Sequence, residues 1–422
     1  MSTTFRSPGK ARTTGSADAC ASSRKRDGRD GATARVAAAM TPAARLSAAI
    51  GVLDRVLGGL PAEPALTNWG RASRFAGSGD RAAVRDLVFD ALRCRRSFAA
   101  LGAGETGRGL ILGGVRAAGL DPATLFDGAA HAPAPVGAQE GGRAPDGLEA
   151  LDCPDWLAPR LEASLGVDFA PVMQALRLRA PVFLRVNPGR GTLDEAVASL
   201  AVAGILARSH PLASFALEVT ESARKIQTCD AYLSGLVELQ DASSQAVVAA
   251  LPLGAGMRVL DMCAGGGGKT LAMAARAPLQ LWAHDAVPGR MRDLPARAAR
   301  AGVKVVLTDT PETVPAYDLV LTDVPCSGSG SWRRDPQGKW ALDAARLADL
   351  GRAQTDIVQR AARMVRPGGW LCYATCSLLH EENEGRIAAF VQQFPGWLLQ
   401  DSLNLTPLQG GDGFYLAILK RV

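Results

Sequence analysis

Between Met257 and Asp323 the chain repeats one pattern four times: a short apolar run closes on an aspartate, and a stretch able to form a helix follows. The runs are MRVLD ending at Asp261, LWAHD at Asp285, KVVLTD at Asp309 and YDLVLTD at Asp323. Apolar runs without polar alternation read as strands buried on both faces, and strands that alternate with helices build a parallel, doubly wound sheet. In such sheets ligands bind outside the carboxyl ends of the strands. Each aspartate alone serves equally well as a helix cap; as a set they point to a bound ligand. Asp285 lies 24 residues after Asp261, the usual place for a carboxylate that holds ribose hydroxyls.

The first run leads into Cys263, Ala264, Gly265, Gly266, Gly267, Gly268 and Lys269. Consecutive glycines let a ligand approach backbone amides and the start of a helix. This is not a Walker loop, because Cys263 stands where that pattern requires glycine six residues before the lysine. A dinucleotide site remains open on this loop alone. The fourth run stops at Asp323-Val324-Pro325-Cys326 before a Gly/Ser loop, and a further apolar strand from Gly369 to Ser377 delivers Cys376. If those two strands are neighbours, two thiols and one carboxylate share a pocket.

At 422 residues the chain is too long for a single core and is expected to hold two or three domains. No apolar run approaches the roughly 20 residues of a membrane span, and no secretory apolar segment stands near Met1, so a cytoplasmic protein with reduced cysteines is expected. The eight cysteines show no zinc spacing, and no metal site is expected. The net charge of +6 is concentrated: residues 1–40 hold eight Arg/Lys against three Asp, +5, which leaves +1 for residues 41–422. Net charge therefore gives no support to a nucleic-acid face on the folded part.

Residues 1–40 read as a disordered basic tail, with Met40 as an alternative start. Residues 41–126 read as an all-helical domain opened by Thr41-Pro42, with Leu46, Ile50, Leu53, Val56 and Leu57 at helical spacing. Residues 127–150 read as a Pro/Gly linker. Residues 151–236 read as a small α/β extension with a strand at Ala180–Asn187, and residues 237–422 as the catalytic domain, entered through a cap near Asp241.

The segments DMCAGGGGKT, LTDVPCSGSG, RRDPQGKW and YATCSLLHEENE resemble the successive motifs of the Sun-type RNA cytosine-5 methyltransferases, bacterial ribosomal RNA enzymes among them. The resemblance is strong over residues 236–422 and extends upstream to about residue 41. It implies a class I S-adenosylmethionine-dependent methyltransferase: a Rossmann-like, seven-stranded α/β sheet closed by strands near Trp397–Gln400 and Gly413–Lys420, preceded by a NusB-like helical RNA-binding domain and a small α/β RNA-binding extension. It also implies roles. Residues 263–269 would form the S-adenosylmethionine loop, with Asp285 on ribose, Arg290 nearby, Asp309 by the adenine amine, and Asp323 by the methionine end or the target base.

By the same resemblance Cys376 is the nucleophile, Cys326 assists elimination and Asp323 holds the cytosine ring. Carbon 5 of cytosine is a poor nucleophile, so a thiolate must first add to carbon 6 to build electron density there. A thiol of ordinary pKa needs local activation for that task. DNA cytosine-5 methyltransferases use a Pro-Cys nucleophile, so Cys326 is the rival. Arg333, Arg334, Lys339 and Trp340 form a mix suited to phosphate contact and base stacking. Glu382 and Asn383 match the family's Glu-Asn pair, as caps of the next helix. Two departures stand out: Gly265-Gly266 replaces an usual Ala-Pro and loosens the loop, and Gln337 replaces a common Asp. A monomer acting on RNA, most readily small-subunit ribosomal RNA, is expected. Transfer RNA as substrate and a non-catalytic ribosome assembly factor are the alternatives; a dehydrogenase is more distant, because nothing supplies its hydride-transfer acid.

Overall fold

The structure, a computed structural model, describes residues 39–422; the expected disorder before Ala39 lies outside the described residues. Helices at Pro42–Leu57, Ala62–Ala72, Ser78–Arg93, Arg95–Leu101 and Gly107–Ala117 form a bundle around Leu53, Val84, Val88, Leu110 and Leu112. Thr41 opens it as expected: its hydroxyl accepts the Ala44 amide at 3.1 Å, one of the orphan donors of a helix start.

The segment expected as a linker, 127–150, instead straps the bundle. Arg108 holds Glu140 at 2.6 Å and the carbonyls of Ala134 and Pro135, and the Arg143 amide donates to Ala100. These anchors are main chain and single arginines, which leave no periodic trace in sequence. The helices Ala158–Leu165 and Phe169–Leu176 share a core with Trp332, Leu342, Leu347, Leu378 and Leu379, so they pack on the catalytic region rather than on the small sheet.

That small sheet has strands β1 (Val182–Val186), β2 (Leu206–Ser209), β3 (Ala216–Glu221) and β4 (Val237–Leu239), antiparallel in the order β2-β3-β1-β4. Its last strand runs past the boundary expected at residue 236. Asp241 then caps the helix Ala242–Ala250, accepting the Ser243 amide at 2.8 Å.

The large sheet has seven strands: β5 (Arg258–Asp261), β6 (Gln280–Ala283), β7 (Val306–Leu307), β8 (Tyr317–Asp323), β9 (Val365–Thr375), β10 (Trp397–Leu405) and β11 (Phe414–Arg421), in the order β10-β11-β9-β8-β5-β6-β7. Only β11 runs against its neighbours. The apolar run of β8 has the reason given by its two faces. Leu319 and Leu321 join Val247 and Val248 on one side, while Val320 joins Val358 and Ala361 of the helix Ala344–Met364 on the other. Each such side chain is worth about 1.5–3 kcal/mol when buried, so both layers depend on this strand. The chain leaves β5 toward β6 and β7, then returns to β8 on the other side. Asp261 and Asp323 therefore end adjacent strands at the switch point, where a doubly wound sheet opens a crevice. No helix of the described residues is long and apolar enough to cross a membrane.

Candidate active site

Strands β8 and β9 are parallel neighbours, with Asp323 paired to Ala374. Their exits carry the two thiols side by side: Cys326 Sγ and Cys376 Sγ stand 3.5 Å apart. The pair is asymmetric. The hydrogen bond with Cys326 holds the Cys376 thiol below its ordinary pKa; the Lys269 ammonium helps, against burial and Asp323. Cys326 is pushed well above its ordinary value by that same bond, by burial and by the charges of Cys376 and Glu382. In this arrangement the lowered thiol is Cys376 and the raised one is Cys326.

Lys269 reaches across from the start of the helix Gly268–Ala274 and donates to Asp323 Oδ2 at 2.7 Å, with its ammonium 4.7 Å from the Phe414 ring centroid. Burial works against its charge, and Asp323 outweighs burial, holding the ammonium above its usual pKa. Asp323 keeps its other oxygen outside this pair and is part-exposed. Lys269, expected on the cofactor loop, thereby also faces the thiols.

Both cysteine loops rest on one carboxylate. Glu382, 1% exposed, accepts the Ser327 amide at 2.9 Å, the hydroxyls of Ser327 and Ser377 at 2.5 Å each, and Gln354 Nε2 at 2.9 Å. Ser327 follows Cys326 and Ser377 follows Cys376. Sequence reasoning saw Glu382 only as a helix cap. The Ser-Gly-Ser run after Cys326 was its one visible signal, since buried hydroxyls need partners.

The glycine turn lies beside this centre. Asp285, 3% exposed, accepts the Gly265 amide at 3.0 Å and the Val287 amide at 2.9 Å, with Arg290 3.5 Å away. Asp261 accepts the Thr270 hydroxyl at 2.6 Å; its Oδ1 is buried near the Cys263 amide without a hydrogen bond of good geometry, and burial raises its pKa to about 7. Burial likewise pushes the Cys263 thiol up. Asp309 lies exposed just beyond the edge strand β7.

The expected RNA contacts are corrected here. Arg333, 5% exposed, donates to the Gly410 and Gly411 carbonyls and to Asp412; Arg334 bonds Asp412 at 2.6 Å and Asp241 at 2.7 Å. Lys339, 1% exposed, donates to the carbonyls of Asp152 at 2.9 Å and Arg93 at 3.2 Å, and Trp340 Nε1 donates to the Leu92 carbonyl at 2.7 Å. Burial lowers the Lys339 pKa to about 8. Lys339 and Trp340 fasten the catalytic region to the helical bundle, while Arg333 and Arg334 hold the turn before β11. Arg333 and Lys339 are buried and face the interior, Trp340 is half-buried with its Nε1 already bonded, and Arg334, though exposed, is committed to two carboxylates. Basic and aromatic letters in a loop look alike for either use.

A seven-stranded sheet with one reversed strand, a glycine turn after its first strand and acids at the next strand ends define a class I methyltransferase, whose cofactor is S-adenosylmethionine. The turn fits that cofactor, since Asp261 Oδ1 offers a buried acceptor without a partner and Gly265 leaves room that a Cβ would occupy, 3.6 Å from Arg290. Residues 248–420 match the family model described as 16S rRNA methyltransferase RsmB/F, and residues 153–226 match that of an RsmF/B-like ferredoxin-like domain. Ribosomal RNA small subunit methyltransferase B of Salmonella arizonae is 33% identical over 282 residues, 63% of this chain and 66% of that protein, so the match spans just under two thirds of this curated relative. Among solved structures, PH0851 has a TM-score of 0.71 at 21% identity, over 90% of this chain and 99% of its own. A methyltransferase homolog from Pyrococcus horikoshii has a TM-score of 0.57 at 24% identity, over 65% and 97%. At these identities the two structures bear on the fold alone.

Proposed function

We propose that the protein methylates carbon 5 of a cytosine in small-subunit ribosomal RNA, through a covalent adduct on Cys376 resolved with Cys326. The observation that carries this reading is the thiol pair, 3.5 Å apart at the ends of neighbouring strands and unequal in acidity. A single nucleophile would need no second thiol.

Bound S-adenosylmethionine supplies an electrophilic methyl group. Residues 263–268, Asp285, Arg290 and Asp309 would hold it, and Lys269 and Asp323 stand between that loop and the thiols. The Cys376 thiolate adds to carbon 6, and the ring's double-bond electrons move toward carbon 5. Asp323, with one oxygen outside its pair with Lys269, holds the ring nitrogen edge and favours the protonated ring. Once Cys376 has become a neutral thioether, its negative charge no longer raises the Cys326 pKa. Cys326 can then release its own proton to solvent and, as the thiolate, take the carbon 5 proton. The electrons of that carbon–hydrogen bond restore the ring double bond, and the carbon–sulfur bond of Cys376 breaks to return its thiolate. The helical bundle, by its resemblance to NusB, would help to hold the RNA.

The family description and the curated relative's name support ribosomal RNA over transfer RNA. The test is transfer of labelled methyl from S-adenosylmethionine to unmodified 16S ribosomal RNA and to bulk transfer RNA, followed by nucleoside mass spectrometry. 5-Methylcytidine in the ribosomal RNA alone is the expected result. A methyl group on another atom, or in transfer RNA alone, refutes the corresponding part of the proposal.

A further inference from the structure

The small sheet β2-β3-β1-β4 was expected to serve RNA, yet side chains of β1 and of its edge strand β4 reach toward the glycine turn. Arg185 and Glu238 are directly opposed on β1 and β4, and both are buried. Arg185 Nη1 donates to the Gly268 carbonyl at 3.1 Å and to Gln240 Oε1 at 2.8 Å. Glu238 pairs with Arg300 at 2.6 Å and Arg297 at 3.4 Å, both on the helix Leu294–Ala301. Arg297 in turn donates through Nη1 to the Gly266 carbonyl. Between them Gly267, at φ +82°, lies so close to this helix that a Cβ would come within 2.2 Å of Leu294 Cδ1. Three consecutive glycines are therefore each fixed by a side chain from outside the turn.

We infer that the small sheet is part of the cofactor site, with Arg185 and the Glu238–Arg297 relay as positioning residues for Gly266–Gly268. This rests on the methyltransferase reading and deepens it. Gly265-Gly266 lacks the stiffness of a substituted turn, and free glycines lose more backbone entropy than other residues when a ligand orders them. Two arginines bonded to the turn's carbonyls supply that order in advance. The glycine and the arginine are also matched sterically: a Cβ on Gly266 would sit 3.0 Å from Arg297 Nη1, tighter than ordinary contact. A side chain at 266 and the arginine clamp compete for one space.

The test uses the full chain and S-adenosylhomocysteine, without RNA. Affinity is measured by calorimetry, and amide hydrogen exchange over residues 264–270 is followed in the free protein. Arg185→Met and Arg297→Met are each expected to weaken binding about tenfold, the scale of one charge-assisted hydrogen bond, and to speed exchange in that segment. Glu238→Gln, which keeps size and one acceptor, is expected to show the same changes more weakly, and Arg276→Met, whose side chain bonds the Ala249 carbonyl away from the turn, should show none. Adding Gly266→Ala to Arg297→Met should recover part of the affinity. Unchanged affinity and exchange in Arg185→Met and Glu238→Gln proteins of wild-type circular dichroism would overturn the inference. Failure of the wild type to bind would instead count against the methyltransferase reading, and exchange would still report on the clamp.

Discussion

Replacing Glu382 by glutamine changes no volume and tests whether one buried carboxylate aligns both thiols. The Ser327 amide and Gln354 Nε2 share one carboxylate oxygen, and the hydroxyls of Ser327 and Ser377 share the other. A glutamine oxygen can keep the first two, now as neutral bonds; the drop from a charged to a neutral acceptor costs about 1 kcal/mol each. The amide nitrogen meets two hydroxyls that had been donating, and these must turn toward Ser329, 3.1 Å from Ser327 and 3.2 Å from Ser377. The sum is about 2 kcal/mol of stability, readable as a lower urea midpoint at unchanged slope. Catalysis should suffer more than folding. Displacing a reacting group by about 1 Å costs on the order of 100-fold, and both thiol loops lose their common anchor. Single-turnover methyl transfer is expected to slow ten- to a hundredfold, with S-adenosylhomocysteine affinity unchanged, because Glu382 does not touch the glycine turn. Wild-type turnover with only the stability loss would reduce Glu382 to the helix cap that its sequence position suggests, and lost cofactor affinity would contradict the division of the site.

Lys269→Met removes the ammonium that helps keep the Cys376 thiol acidic, so the acid limb of the rate profile should move to higher pH; an unmoved limb would mean that the Cys326 bond alone sets it. Burial lowers Lys339 from the usual 10.5 to about 8, equivalent to about 3 kcal/mol. As pH rises from about 8 to 10.5 the native state sheds this proton while the unfolded chain keeps it, so the wild type should gain up to that amount across the window. Lys339→Met should lack this gain in urea titrations at pH 7.5 and 10; an equal change in stability between the two pH values for both proteins would contradict a lowered Lys339 pKa.

The catalytic sheet was legible because its central strands β5 and β8 write their burial on both faces into continuous apolar runs, as Leu319, Val320 and Leu321 do. The convergence of Asp323, Cys326 and Cys376 followed from strand ends alone. What stayed hidden are contacts with no local period. Lys339 and Arg333 carry letters suited to RNA and are spent on main-chain carbonyls, and Arg185 reads as an ordinary strand residue until the fold brings Gly268 to it. Residues 127–150 looked unstructured because Arg108 and Arg143, rather than an apolar stripe, hold them. Gly265-Gly266 was read as a loosened loop, whereas Arg297 and Arg185 bind the carbonyls that frame it.

The most direct measurement is denaturing electrophoresis of the wild type, Cys326→Ala and Cys376→Ala after incubation with S-adenosylmethionine and unmodified small-subunit ribosomal RNA. Addition through Cys376 with elimination through Cys326 predicts a denaturant-stable protein–RNA adduct in Cys326→Ala alone. An adduct in Cys376→Ala would reverse the two roles, and no adduct in any variant of an active enzyme would contradict covalent catalysis.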